Sequence, residues 1–403
     1  MRMQVEIVNV GDGACAVIRG HGETMVIDCG SLHDRFGIAS AKALRAALGP
    51  IAPLPTKVVV THFDLDHWMG LNAFAQQSSK GSVNVTLFYP GFPRVARPIQ
   101  AALVAYQTAH LSAPERSAMD LAKSWESKSA SLVRHPVNAG ATIFAAGTAW
   151  NVLWPPHQLE RKVSKVFERV ARESASLAKE YAPLGDALDW AYRSGPFSDQ
   201  RNEDPLQVEN EEMRNDSDEY DGSDEYDGSD EYDGHLPTET SAPITEDEDI
   251  LATYGQDAFS DANPELRRRL RKNRAEVQEL NNELSLVLEE ERGLMLNLGD
   301  LQRWGLNELV RRRWMRPHYD TILAPHHGTQ VPGKRTLPKF PKSRVTVAQN
   351  GPSHFGRLRL ELSQHTNTLL STAVIGSVMI DIETGILVSH FWDDQSRHRF
   401  SGH

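Results

Sequence analysis

The segment VVVTHFDLDHWMG, at residues 58–70, constrains the fold more than any other part of the chain. Its apolar run of β-branched residues ends at Thr61 and predicts a buried strand, whose carboxyl end is where α/β proteins place their sites. Four potential metal ligands follow within six residues: His62, Asp64, Asp66 and His67. Imidazoles and carboxylates in this number can bind two divalent ions side by side. The alternative, a solvated charged turn, explains poorly why two histidines follow a buried strand.

The elements around this segment predict one β-rich domain that is split by an insertion. Short strands around one helix make up the first part, and a strand pattern returns at Leu284. We therefore expect a first half at 1–157, an insertion at 158–279 and a second half at 280–403. The insertion is predicted to be helical at 158–195, acidic and disordered at 199–261, and a basic helix at 264–280. Three consecutive domains are the alternative.

Charge is distributed unevenly along the chain. Residues 199–261 contain 23 acidic and two basic residues, including SDEYDG three times in succession. Removing them from totals of 43 basic and 54 acidic residues leaves 41 against 31, so the rest of the chain carries a charge of +10. A net positive charge outside the acidic segment is compatible with a polyanionic substrate. The Arg-rich stretch 267–274 is either a phosphate-contacting helix or a solvated helix face.

The acidic segment has three interpretations. It is a disordered linker, or it covers the basic surface of its own chain, or it binds a basic protein partner. Its spacing does not fit a calcium loop, which needs Asp at alternate positions before a Gly and a later Glu.

Membrane and cysteine-based functions are not indicated. No stretch approaches the roughly 20 apolar residues needed to cross a bilayer, so we expect a cytoplasmic protein without a membrane partner. Cys15 and Cys29 form no C-x-x-C pair. Any metal must therefore be held by histidine and carboxylate side chains.

Five ordered segments resemble a known family. THFDLDHWMG resembles the H-x-H-x-D-H signature of metallo-β-lactamase-fold proteins, with Asp in place of the second His, a variant frequent in the ComEC-type branch. In that branch the lactamase-like domain accompanies the DNA-uptake channel of competent bacteria. The other segments are NVGDGACAVIRG with MVIDCGS, then NNELSLVL, LMLNLGD and DTILAPHHGT. The resemblance covers roughly 1–156 and 280–403, and implies an α+β fold of four layers, αββα. It also makes NNELSLVL a strand, so the helix that begins at Pro264 should end near Leu280.

The resemblance assigns further site residues. Asp300 would bridge two metal ions and act in catalysis with Asp66 and His67; alternatively, Asp300 caps the following helix. His326 and His327 follow an apolar strand, and adjacent strand residues point to opposite faces, so one is expected to bind metal and the other to contact substrate or a ligand. The remaining assignments are His157 as a ligand of the first metal or a surface residue, Asp28 as support for the metal-binding loop, and His354 and Asn350 near the substrate. A purely structural role is the alternative for Asp28 and for His354.

The function implied is metal-dependent hydrolysis of a phosphodiester in DNA or RNA, by hydroxide that two divalent ions make available. Asp64 in place of a histidine favours Mn²⁺ over Zn²⁺, although zinc stays possible. No transmembrane channel is part of this sequence, so DNA uptake is not its own task. Two alternatives are hydrolysis of a small ester, such as a lactone, thioester, cyclic nucleotide or phosphorylcholine, and a non-catalytic or partner-gated module.

Overall fold

The computed structural model describes residues 3–34, 36–49, 54–111, 118–194, 259–381 and 387–390. The acidic segment predicted at 199–261 lies outside these residues except for its last three. Within the described residues, no helix is long and apolar enough to cross a membrane.

The described strands form two sheets. In chain order they are β1 Gln4–Ile7, β2 Cys15–Gly20, β3 Glu23–Cys29, β4 Lys57–Val59, β5 Asn84–Pro90, β6 Ser131–Val137, β7 Thr142–Ala145, β8 Thr148–Trp154, β9 Val287–Glu290, β10 Met295–Asn297, β11 His318–Leu323, β12 Lys342–Ala348, β13 Thr366–Ser371, β14 Ser377–Asp381 and β15 Leu387–His390. One sheet has the order β15-β14-β1-β2-β3-β4-β5-β6, and the other β13-β12-β11-β10-β9-β8-β7. Strands β3 to β6 are parallel, as are β10 to β13, whereas the other pairs are antiparallel.

Helices lie on the outer faces of both sheets. They are α1 Ile38–Leu48, α2 Leu65–Gln77, α3 Arg97–Leu111, α4 Ala118–Lys128, α5 Arg161–Glu180, α6 Ala182–Ser194, α7 Pro264–Asn282, α8 Arg303–Arg311, and the single turns α9 Pro352–Phe355 and α10 Thr372–Ile375. Short 3₁₀ turns cover Arg94–Ala96, Pro325–Gly328, Leu337–Lys339 and Leu360–His365.

Alternation along the strands divides the core into layers. On β2 and β3, Val17 and Val26 pack into the cluster that includes the helices, whereas Ile18 and Met25 pack into the cluster between the sheets. The second sheet contributes Leu288, Met295 and Val347, among others, to that same inter-sheet cluster. Side chains of a strand point alternately to its two faces, so each sheet is covered on both sides. The fold is therefore the predicted four-layer αββα sandwich of the metallo-β-lactamase type.

The insertion leaves the sandwich between β8 and β9, which are antiparallel neighbours in the second sheet. Helix α5 packs on α6 and α7, and all three helices pack on α3. Their buried residues, such as Phe167 and Val277, belong to the same core cluster as the helices of the sandwich. Helix α7 begins with an N-cap hydrogen bond from Leu266 N to Asn263 Oδ1 and runs two residues beyond the predicted end at Leu280.

Candidate metal centre

The loop after β4 carries the first set of predicted ligands. His62 follows the strand and is completely buried, and Asp64 occupies the N-cap position of α2 without making a side-chain cap. Asp66 and His67 lie in the first turn of α2, which packs against the end of β3. The strand and helix thus turn the four side chains into the interior.

A buried group of four side chains forms where the loops of the two sheets meet. Asp66, His67, Asp300 and His327 each offer a ligand atom, and these atoms lie within 4.8 Å of one another. Oδ2 of Asp300 lies 3.3 Å from His67 Nε2 and 3.2 Å from His327 Nε2. Oδ2 of Asp66 lies 3.1 Å from His327 Nε2. The fold thereby brings Asp66 and His67, which precede the insertion in the sequence, together with Asp300 and His327, which follow it.

The far nitrogens of two imidazoles are held by hydrogen bonds. Nδ1 of His67 lies 2.9 Å from Asp28 Oδ2, and Asp28 also accepts hydrogen bonds from Thr61 N and Thr61 Oγ1, each 2.7 Å long. Nδ1 of His327 donates to the carbonyl oxygen of Gln349 over 2.8 Å. In both histidines the hydrogen bond at Nδ1 leaves Nε2 facing the group. Metal-binding histidines are commonly oriented in this way, by a hydrogen bond at the nitrogen that does not bind the metal.

The charges in the group depend on one another. Burial opposes ionisation of Asp66 and Asp300, but the neighbouring His67 and His327 hold the pKa of both carboxyls below its usual range. Burial likewise opposes protonation of the two rings, but Asp300 above all raises the pKa of His67 well above its usual value and that of His327 to about 10. Without a cation, these two histidines therefore carry the positive charge that the carboxylates require.

The arrangement fits a metal ion. Nε2 of His67 is buried without a hydrogen-bond partner among the described residues, although it faces two carboxylates. Nitrogen and hard oxygen atoms converge on one buried point, the donor set that Zn²⁺ and Mn²⁺ accept. A divalent cation would satisfy the orphaned nitrogen and both carboxylates at once.

Asp300 occupies the centre of the predicted two-metal arrangement. Besides its contacts with His67 and His327, its Oδ2 lies 3.8 Å from Nε2 of both His62 and His326. It does not cap the next helix, since the N-cap of α8 is Gln302. The amides of Trp304 and Gly305 at that helix start donate instead to Glu283, over 3.2 and 2.9 Å. The side chain of Asp300 is thus free to face the group.

The expectation that His326 and His327 alternate on a strand is wrong. β11 ends at Leu323, and the two histidines lie in a 3₁₀ turn with φ angles of 47° and 56°. Because consecutive left-handed residues do not alternate as strand residues do, both rings approach Asp300. They differ in exposure, since the side chain of His326 is 24% exposed and that of His327 only 2%.

His157, His354 and Asn350 are further predicted residues that do not belong to the buried group. His157 is exposed on the turn after β8, so the structure does not bring it to the other ligands. His354 is buried and stacks on His327, with ring centroids 4.8 Å apart and an interplanar angle of 5°. Asn350 accepts from Ser371 Oγ over 2.6 Å and its main-chain amide donates to Thr372 Oγ1, so its observed contacts fix the loop after β12.

Sequence reasoning missed the residues that support the ligands. Asp12 accepts the main-chain amides of Gly351 and His354, each over 3.0 Å, and holds the His354 loop. Asn281 and Asn282 at the end of α7 reach Asp64. No local pattern indicates these contacts, because all of them join residues more than 200 positions apart.

Comparison with known proteins agrees with the fold. Residues 8–136 match the family model of the Metallo-beta-lactamase superfamily. No match was found among curated proteins. Among solved structures, the chain is similar to the metallo-beta-lactamase fold protein YhfI from Bacillus subtilis, with 12% identity and a TM-score of 0.24 over 38% of this chain. That alignment spans about half, 53%, of the YhfI chain.

The family match over residues 8–136, the sandwich and the buried Asp/His group are together typical of a metallo-beta-lactamase superfamily domain. Members of this superfamily are generally metal-dependent hydrolases, and the described residues have that fold and a buried Asp/His group that could hold a metal ion.

Proposed function

We propose that this hydrolase is a phosphodiesterase that cleaves nucleic acid. The observation that carries the proposal is the composition of the centre: three aspartates, Asp64, Asp66 and Asp300, lie among its histidines, and cysteine is absent from the group. Such an oxygen-rich donor set suits the hard ions that phosphate chemistry uses. The ComEC-type branch is part of the proposal, supported by Asp64 in place of a histidine and by the order of the five segments.

Asp66, His67, Asp300 and His327 would hold the metal ions. When bound, two divalent ions would activate water and supply four positive charges, which balance those of three carboxylates and one hydroxide. The two ions would also offset the negative charge that a phosphodiester brings to the centre and that a neutral ester lacks. The basic remainder of the chain, +10 outside residues 199–261, favours the same class of substrate.

His326 is suited to contact the substrate. The amide nitrogen of Gln302 lies 3.1 Å from His326 Nδ1 and donates to it, so the proton of the neutral ring resides on Nε2. Burial lowers the pKa of His326, which keeps the ring neutral at physiological pH. A neutral ring with Nε2–H at the partly exposed side of the centre can donate a hydrogen bond to a phosphate oxygen. His327 would then be the ligand of the pair.

The Arg-rich stretch does not support the proposal. Arg269 contacts Glu173 at 3.0 Å and Glu180 at 2.7 Å, and Arg268 contacts Glu265 at 2.7 Å. Arg267 donates to the main-chain carbonyls of Phe259, Ser260 and Ala262. These arginines thus stabilise the packing and the start of α7, and the proposal relies on the metal centre rather than on them.

The test is a substrate panel on the full chain. Metal-stripped protein would be assayed with Mn²⁺ or Zn²⁺ on single- and double-stranded DNA, on RNA, and on a lactone and a thioester. We expect metal-dependent cleavage of nucleic acid that Asp66→Ala abolishes and that Asp320→Asn, a change of a half-exposed aspartate on β11, leaves intact. Metal binding with cleavage of the small esters alone would contradict the substrate class. An Asp66→Ala variant with full activity would contradict the site.

A further inference from the structure

We propose that Asn282 is a metal ligand. Its side-chain carbonyl, together with Nε2 of His62 and Oδ2 of Asp64, would form a first cation position beside the position of Asp66, His67 and His327. The inference rests on the metal dependence of the proposed function but is independent of its substrate.

The geometry begins with the end of the Asn282 side chain. One of its two terminal atoms lies 3.0 Å from Asp64 Oδ2, 3.3 Å from His62 Nε2 and 3.1 Å from the main-chain oxygen of Gln278. All three neighbours present a lone pair. Asn282 is only 5% exposed, His62 is 0% and Asp64 is 9% exposed, so water does not offset this convergence.

The amide can place either its nitrogen or its oxygen at this point, and the partners decide between them. An NH₂ group has two hydrogens for three acceptors, and it would occupy the lone pair of His62 Nε2. That lone pair is the one with which His62 would bind a metal, since its Nδ1 lies 3.2 Å from Thr61 Oγ1 on the other side. A carbonyl oxygen at the same point completes a set of metal ligands instead.

The separations within this set suit one ion. The distances are 3.0 Å between Asn282 and Asp64, 3.3 Å between Asn282 and His62, and 3.7 Å between His62 Nε2 and Asp64 Oδ2. Ligand bonds of about 2.1 Å with angles between about 90° and 120° separate ligand atoms by about 3.0–3.6 Å. Two of the three separations fall in this range and the third exceeds it by about 0.1 Å, so the set has the approximate size of one coordination shell.

The neighbouring residues support the same interpretation. Asn281 Nδ2 donates to Oδ1 of Asp64 over 3.0 Å, which fixes the carboxylate with Oδ2 toward Asn282. Asp300 Oδ2 lies 3.8 Å from His62 Nε2, so Asp300 stands between this position and the group of Asp66 and His327. A carboxylate between two cation positions is suited to bridge them.

Asn282 would supply the ligand that the sequence assigned to His157. His157 is exposed, whereas Asn282 ends α7, the helix that begins in the insertion and ends three residues beyond the predicted boundary at 279. The helix that closes the insertion would thus position a ligand at the centre. This gives the described helices a role that their composition does not indicate.

The experiment is a titration of full-length, metal-stripped protein with Mn²⁺ alone. Calorimetry measures the affinities, and the metal content per chain gives the number of ions bound. We expect two ions in the wild type. Asn282→Ala should weaken one of the two by at least about 10-fold, and Asn282→Asp should retain both, because a carboxylate oxygen can replace the carbonyl. Asn273→Ala is the matched control, since Asn273 is a buried residue of the same helix that contacts Tyr106 and Ser174. His157→Ala should also retain two ions.

Three outcomes would overturn the proposal. One is a single ion in the wild type. Another is Asn282→Ala with unchanged or tighter binding, as expected if the amide nitrogen occupies the position. The third is weakening in Asn282→Asp equal to that in Asn282→Ala, which indicates a donor to Asp64 rather than a ligand. Circular dichroism establishes whether each variant folds, and Asn282→Asp decides the matter if Asn282→Ala does not. Because only metal is measured, failure of the nucleic-acid panel leaves the inference standing, and the reverse also holds.

Discussion

Oδ2 of Asp28 lies 2.9 Å from Nδ1 of His67 in the interior of the protein. Asp28 has a φ of 54° at the end of β3, and its carboxylate accepts two further hydrogen bonds from Thr61. The contact orients the imidazole and increases its basicity, so Asp28 acts on the metal centre through His67.

Asp28→Asn should weaken metal binding by about 10- to 100-fold, the range for residues that orient ligand histidines. Asp34→Asn is the control, because Asp34 accepts a hydrogen bond from Ser40 N at the start of α1 and has no part in the buried group. Calorimetric titration with Mn²⁺ measures both. Equal affinities for Asp28→Asn and the wild type would show that this hydrogen bond is dispensable.

Gly30 lies against the first turn of α2. A Cβ atom there would come within 2.6 Å of the carbonyl carbon of Asp66 and 2.7 Å of Leu65 O. Gly30→Ala must therefore displace the turn that carries Asp66, with a loss of about 1–3 kcal/mol in the free energy of unfolding and weaker metal binding. Gly356→Ala, whose Cβ would meet nothing within 4 Å, should change neither quantity. Chemical denaturation and metal titration of the two variants make the comparison.

Glu283 gives unfolding a dependence on pH. Burial raises the pKa of its carboxyl to about 8, although the amides of Gly305 and Trp304 donate to it. The ordinary value is 4.5, so between these values the folded chain holds a proton that the unfolded chain has lost. Stability from this group is therefore complete below pH 4.5 and is lost as pH rises through 8.

Glu283→Gln removes this titration. Relative to the variant, the wild type should lose stability between pH 5 and 9, by at most about 5 kcal/mol, because one pKa unit corresponds to about 1.4 kcal/mol. Urea unfolding of both proteins across this range is the measurement. Parallel pH profiles would mean that Glu283 is ionised throughout.

Metal binding should release protons. Burial opposes charge on His67 and His327, yet Asp300 raises the pKa of both rings, that of His327 to about 10, so both are protonated at pH 7 in the metal-free protein. Each must lose the proton on Nε2 to act as a ligand. Mn²⁺ affinity should consequently increase from pH 6 to 9. Calorimetry in buffers of different ionisation enthalpy counts the protons, and an enthalpy independent of buffer would contradict the account.

The fold could be predicted from the sequence, as could the strand that precedes His62. A buried β-branched run followed by His and Asp is a local pattern, and the alternation along β2 and β3 gives both faces of the sheet their core. The insertion was recognisable from its change of periodicity. Its domain boundaries and the disorder of the acidic segment stay predictions.

Other features depend on contacts that local sequence does not encode. Neither position of the left-handed turn at His326 and His327 is a glycine, the residue that usually indicates such a backbone. We therefore expected a strand in which the two side chains point to opposite faces. An aspartate such as Asp300 can either cap a helix or bind a metal. The amides at the start of α8 donate to Glu283, at the end of α7, and this contact is not evident from the local sequence. Asn282 lies in NNELSLVL, which the resemblance made a strand, but the structure places it at the end of α7 beside Asp64, and the strand begins only at Val287.

The most direct test of the metal-dependent centre is hydrolysis of bis(p-nitrophenyl) phosphate by metal-stripped protein as Mn²⁺ is added back. Asp300 contacts ligand histidines from both halves of the chain, so Asp300→Ala should disrupt the centre without altering the surface. We predict no hydrolysis without metal, a rate that rises with the Mn²⁺ bound, and at least a 100-fold lower rate for Asp300→Ala. Full activity in the metal-stripped protein, or in Asp300→Ala, would contradict the account.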